Sequence, residues 1–120
     1  MRNVLKTGNV VGPYSPGIVA SGTKHIFISG QIASDLDSDI RTQTNQIIRK
    51  IEAILAETDA YLSDIVKTTI YLADIDDFNE LNEEYGNHFP SEPPARATLQ
   101  AAALPLGAKV MIEAIAIRMD

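Results

Sequence analysis

A chain of 120 residues, 45% hydrophobic and 22% charged, suits one compact domain with a single core and excludes disordered and fibrous classes. A net charge of -6 and a pI near 4.8 argue against a protein that binds by neutralising phosphates, so nucleic acid is an unfavoured partner. No cysteine is present, the two histidines (His25, His88) have no metal-ligand spacing, and no apolar run has the length of a signal peptide or membrane span, so the expectation is no metal, no membrane and a cytoplasmic location.

In chain order, Gly12-Pro13-Tyr14-Ser15-Pro16-Gly17 holds two Gly/Pro pairs around one aromatic, so Tyr14 rides on a rigid loop, either plugging the core edge or lining a pocket. Ile18 to Ile32 is β-rich on both sides of Ser21-Gly22-Thr23-Lys24 and predicts a hairpin, with Gly30 in Ser29-Gly30-Gln31 marking a bulge. His25 lies within the apolar strand and is expected to pack. The acidic stretch from Ala33 to Asp39 lacks the glycine and glutamate of a calcium loop and reads as a connection.

From Ile40 to about Thr58, Ile47, Ile51, Ile54 and Leu55 recur at helical spacing and predict an amphipathic helix. Ile65 to Leu72 is rich in β-branched residues and predicts a central strand, paired in parallel with Ile26 to Ser29 through a crossover. A second helix from Asp76 to Phe89, capped by Asp74 or Asp76, places Phe78, Leu81, Tyr85 and Phe89 on an inward stripe. Asn82 borders that stripe, where its amide serves either a neighbouring backbone group or a ligand.

After Pro93-Pro94, two β segments, Ala97 to Ala103 and Lys109 to Arg118, flank Leu104-Pro105-Leu106-Gly107-Ala108 and predict a second hairpin. Residues 1–120 thus form one α+β domain with a mixed sheet and both helices on one face. The last strand is apolar on both faces: Val110, Ile112, Ala114 and Ala116 on one, Met111, Ile115 and Ile117 with Glu113 on the other. Two helices cover only one of these, so a closed homo-oligomer is expected to bury the other. Arg96 leaves the stiff Pro93-Pro94 segment as its only cation, and its planar fork suits a carboxylate; the competing expectation is a surface ion pair.

Taken together, Gly12 to Gly17, Ile28-Ser29-Gly30-Gln31-Ile32, Asp64 to Thr69, Asp77 to Tyr85, Pro94-Ala95-Arg96-Ala97-Thr98 and Ile112 to Ala116 resemble, in this order and spacing, the YjgF/YER/UK superfamily, also called the RidA family of imine deaminases. The resemblance implies a chorismate-mutase-like fold and a homotrimer with a central sheet barrel and pockets between subunits. It implies hydrolysis of reactive 2-imino and 2-enamino acids, such as 2-aminoacrylate, to 2-oxo acids and ammonia without a cofactor. Carried over, Arg96 clamps the substrate carboxylate; Tyr14, Ser29 and Asn82 orient the substrate; and the backbone at Gly30 and Thr98 helps place substrate or water. Family deaminases commonly have cysteine at Thr98 and glutamate at Met111, where the acid holds the attacking water. A thioether does that poorly, which keeps open a low-turnover module that binds 2-oxo acids. Some relatives are described as endoribonucleases or translation inhibitors, a third reading that the acidic pI disfavours.

Overall fold

The computed structural model describes residues 1–118. Its core is a four-stranded sheet with spatial order β3-β6-β4-β5, made by β3 (Lys24–Gln31), β4 (Ile65–Leu72), β5 (Ala95–Gln100) and β6 (Val110–Arg118). Two helices, α1 (Ile40–Ala56) and α2 (Phe78–His88), pack on one face, and β1 (Arg2–Leu5) pairs with β2 (Gly17–Ala20) in a separate ribbon. No helix among the described residues is long and apolar enough to cross a membrane.

Sequence periodicity decides the elements that stand alone. α1 buries Ile47, Ile48, Ile51 and Leu55, spaced as one helical face. Asp39 starts it, its carboxylate accepting from Thr42 N at 2.8 Å, and that bond holds the acid below its usual pKa. On α2, Leu81 and Tyr85 are buried, as is Phe89 just past its end, and Phe78 packs partly against the same core. The helix starts at Phe78 rather than Asp76. Asp74 caps a preceding 3-10 turn (Ile75–Asp77) instead, because its side chain reaches only as far as Asp76 N.

Pairing departs from the expected hairpins. β2 and β3 do not pair, because the link between them steps from one sheet to the other: Ser21 N bonds to Met1 O and Thr23 N to Arg118 O. β2 joins β1, whose four residues are too short to signal a strand, and β3 pairs antiparallel with β6. β5 and β6 are not a hairpin either, since each borders β4, β5 in parallel and β6 antiparallel. β4 and β6, each with four buried residues, take the interior places, while β5, with Ala97, Leu99 and Gln100 exposed, takes an edge. β3 and β4 do run in the same direction, but β6 lies between them, so they form no parallel pair.

The register between β3 and β6 shifts between Ile28 and Gln31, a bulge where Ser29-Gly30 marks one. His25 is exposed on β3 rather than packed, because alternation along the strand turns Ile26 and Ile28 to the helices and His25, Phe27 and Ser29 the other way. Along β6, Val110, Ile112, Ala114 and Ala116 are buried while Met111, Glu113, Ile115 and Ile117 are only partly so. The open face is therefore apolar in part, with Phe27 75% exposed.

Sheet and α2 are joined by a buried hydrogen bond, 2.9 Å between Thr68 Oγ1 and Tyr85 Oη. Tyr85→Phe should lower stability by about 1–3 kcal/mol, because it strands the Thr68 hydroxyl in the core. Urea unfolding checks this, and an unchanged midpoint would contradict it.

Candidate functional site

Residues at both ends of the chain and on α2 meet at the β5 edge. Arg96 and Thr98 pair in register with Thr68 and Ile70, which are buried on the helix side, so their side chains face α2. The segment before them is fixed: Ser15 N donates to Pro94 O at 3.1 Å and Ser15 Oγ to Pro93 O, so the diproline approach is stitched to the Gly12–Gly17 loop. That loop places Tyr14 beside Arg96. Val11 N donates to Tyr14 Oη at 3.2 Å, which fixes the ring and leaves the phenol proton free to donate.

Three aromatic rings surround the guanidinium. Arg96 Cζ lies 5.1 Å from the Tyr14 centroid, 5.1 Å from Tyr85 and 5.7 Å from Phe78. Burial pushes the Tyr85 phenol up to about 12, so it stays neutral and no anion there neutralises the arginine. Burial also pulls Arg96 below its ordinary value, yet a guanidinium remains charged at neutral pH. No carboxylate pairs with Arg96 among the described residues, which goes against the surface ion pair.

Four buried side-chain polar atoms lack a partner among the described residues, and three belong to this place: Arg96 Nη1, Asn82 Oδ1 and Thr98 Oγ1. Such groups cost about 1–3 kcal/mol each when left unmade, so a donor, an acceptor and a hydroxyl gathered without partners make this the candidate ligand site. Arg96 and Thr98 line a cavity of about 130 Å³ with Val11, Tyr14 and Phe78. Gly12 keeps it open: a Cβ there would sit 3.0 Å from Asn82 Nδ2 and 3.1 Å from Arg96 Nη2.

The other expected site residues lie elsewhere. Ser29 lines a larger cavity, about 380 Å³, on the open sheet face with Phe27, Lys67, Thr69, Glu113 and Ile115. Met111 crosses Gly30 closely enough that a Cβ there would meet its sulfur at 2.8 Å. Beside them Tyr71 Oη donates to Glu113 Oε1 at 2.6 Å, a bond that raises the tyrosine pKa. β6 and β4 separate β3 from β5, so three strand spacings put the edge strands about 14 Å apart, and the two groups face opposite sides of the sheet. One chain therefore brings together Tyr14, Asn82, Arg96 and Thr98 but not Ser29, Gly30 and Met111. Of these two cavities the smaller is the better candidate, because unpartnered polar atoms, Arg96 Nη1 and Thr98 Oγ1, belong to its lining residues.

Gly12, Phe78 and Tyr85 join the site with no site signal in the sequence. Gly12 carries only the signal of its Gly-Pro turn, and the two aromatics are indistinguishable in sequence from the rest of the α2 core stripe. Among the described residues no group of three or more His, Cys, Asp or Glu side chains could hold a metal ion.

Comparison with known proteins bears on this geometry. The profile of the family described as Endoribonuclease L-PSP matches residues 6–118. The chain belongs to this family, the RidA (YjgF) family. A human RidA-family protein named 2-iminobutanoate/2-iminopropanoate deaminase is 39% identical over 127 residues, covering 98% of this chain and 91% of the human one. Among solved structures, RidA from an Antarctic Psychrobacter superposes with a TM-score of 0.75 at 34% identity, covering 94% of each chain. Yeast Mmf1 does so with a TM-score of 0.76 at 29% identity, covering 98% of this chain and 99% of its own. The RidA fold thus accounts for two helices on one face of a mixed sheet, and the Arg96 cluster sits within the matched region.

Proposed function

We propose that the chain is a deaminase of small 2-imino and 2-enamino acids such as 2-aminoacrylate, and that Arg96 holds the substrate carboxylate. The observation that carries this reading is the unneutralised guanidinium, buried among three rings with Nη1 unpartnered. The relative named 2-iminobutanoate/2-iminopropanoate deaminase supports the reaction class. The enamine first takes a proton at carbon to become the imine. Water then adds to the imine carbon, and the carbinolamine collapses to a 2-oxo acid and ammonia. An imine carbon is already electrophilic once protonated, so positioning supplies much of the acceleration and no cofactor is needed. Arg96 would fix the carboxylate, Asn82 Oδ1 would accept the imine N–H, and Tyr14 would close the wall.

Ser29, Gly30 and Met111 join this site only if a second copy supplies them, and the open, partly apolar sheet face gives that copy a surface to bury. The reading therefore includes a homotrimer with its sheets turned inward as a barrel and its pockets shared between subunits. Sedimentation should give three times the 13.0 kDa chain mass, and a monomer at micromolar concentration would contradict this part. A cytoplasmic location goes with the reading.

The reaction is tested by mixing the protein with a serine or threonine dehydratase and its substrate, trapping the imine with semicarbazide. Faster release of the oxo acid and less trapped imine are expected; an unchanged rate would overturn the reading. In the same assay Gly12→Ala should lose about ten- to a hundredfold in rate with little change in thermal midpoint, since it displaces only side-chain ends in the pocket.

Met111 favours a second reading, a binder of 2-oxo acids with little turnover, because a thioether stands where the family commonly has the water-holding acid. Tight oxo-acid binding with no acceleration would distinguish it. Endonuclease action has less support. Arg41, Arg49 and Arg118 are tied to carboxylates and Lys50 and Lys109 donate to backbone carbonyls, and the net charge of -6 disfavours RNA further.

A further inference from the structure

Of the five arginines, only Arg96 and Arg2 have no carboxylate partner among the described residues. Arg2 supplies the fourth unpartnered buried polar atom, Nε, and its Nη2 donates only to neutral acceptors, Ile65 O at 3.1 Å and Glu92 O at 2.8 Å. A second permanent charge is therefore held without neutralisation, and it too lies beside a cavity. That cavity, about 290 Å³, is formed by the β1 end, the turn before β4 and the segment after α2, with Arg2, Ser63, His88, Ser91 and Glu92 on its walls. Glu92 adopts a left-handed backbone, φ 47°, within the turn whose carbonyl Arg2 holds.

The lining carries both signs of charge. Arg2 is its arginine and Glu92 its one carboxylic acid, and Ser63 and Ser91 bring hydroxyls that donate or accept. The neighbouring acid Glu84 is already engaged, by His88 Nε2 at 2.9 Å and Asn45 Nδ2 at 3.2 Å. A dianion such as phosphate would share the cavity with the Glu92 acid. A molecule with one carboxylate and one ammonium would instead match Arg2 and Glu92 in turn. The volume lies at the small end of ligand pockets, which limits the molecule to a few heavy atoms beyond those two groups.

We propose that the Arg2–Glu92 cavity is a second binding site, separate from the Arg96 pocket, for a small zwitterionic α-amino acid. The test follows backbone amide resonances of the full chain titrated with L-valine, acetate and inorganic phosphate. L-valine should shift the amides of Ser63, Phe89 and Ser91 saturably, with a Kd on the order of 1 mM. Acetate and phosphate should bind more weakly. Arg2→Gln and Ser91→Trp, which fills the cavity from an exposed loop position, should each weaken L-valine by about tenfold or more, while Arg96→Ala leaves it unchanged. If Arg2→Gln does not fold, Ser91→Trp decides alone. Absence of a saturable shift, equal binding in Ser91→Trp, loss of binding in Arg96→Ala, or acetate or phosphate binding as tightly as L-valine would overturn the proposal.

Discussion

Arg96→Ala is expected to lower kcat/KM for imine hydrolysis by a hundredfold or more while leaving the fold as stable as before or slightly more so. Two charge-assisted hydrogen bonds to a carboxylate contribute about 1.5–3 kcal/mol each, and about 3–6 kcal/mol in sum corresponds to a factor from roughly 150 up to roughly 25,000. Stability should not fall in parallel, because the buried guanidinium has no anionic partner to lose and its removal relieves a desolvated charge. The three ring contacts contribute in the opposite direction, roughly 0.5–1 kcal/mol or more apiece, and keep the net change small. Arg96→Lys separates charge from shape, since lysine keeps the cation and loses the planar fork; an activity between wild type and Arg96→Ala is expected. Wild-type turnover in Arg96→Ala, or a large loss of folding stability with it, would assign the residue a structural role.

Met111→Glu is expected to raise the deamination rate by about a hundredfold, the usual contribution of a positioned general base. The side chain lies across Gly30 and shares its strand face with Glu113, whose Oε1 is occupied by Tyr71 at 2.6 Å. Glu113 is thus already committed to a neighbour, and a new carboxylate at 111 would be the free acid for a water. Paired with a second copy's Arg96 pocket, the two would stand on either side of the imine. A rate unchanged in Met111→Glu would mean that water is held elsewhere or that turnover is not this chain's role.

Much of the fold is legible in the sequence, and its failures have a common cause. β4 has the expected bounds because its β-branched run is buried on nearly every second residue, and α1 follows from isoleucines spaced along one face. Periodicity reports which face of an element is apolar but not which strand lies beside it. Both hairpin expectations joined neighbours in sequence, whereas β3 and β5 take edge places and β6 and β4 the interior ones.

The site divides in the same way. Arg96 is legible from the diproline approach and its isolated charge, and Tyr14 from its rigid loop. Asn82 and Thr98 gain meaning only from the family resemblance, since an amide beside a core stripe and a threonine on a strand are commonplace. Gly12 and the Tyr85 ring enter only through packing, which brings both against the Arg96 side chain. Arg2 carries no sequence signal at all; its lack of a carboxylate partner is visible only once the chain is folded.

The most direct test is a crystal structure of the protein with 2-oxobutanoate, the oxo acid formed from the four-carbon imine. The carboxylate should lie about 2.7–2.9 Å from the Arg96 guanidinium nitrogens, between the Tyr14 and Phe78 rings. A ligand bound away from Arg96, or none bound there at saturating concentration, would contradict the account.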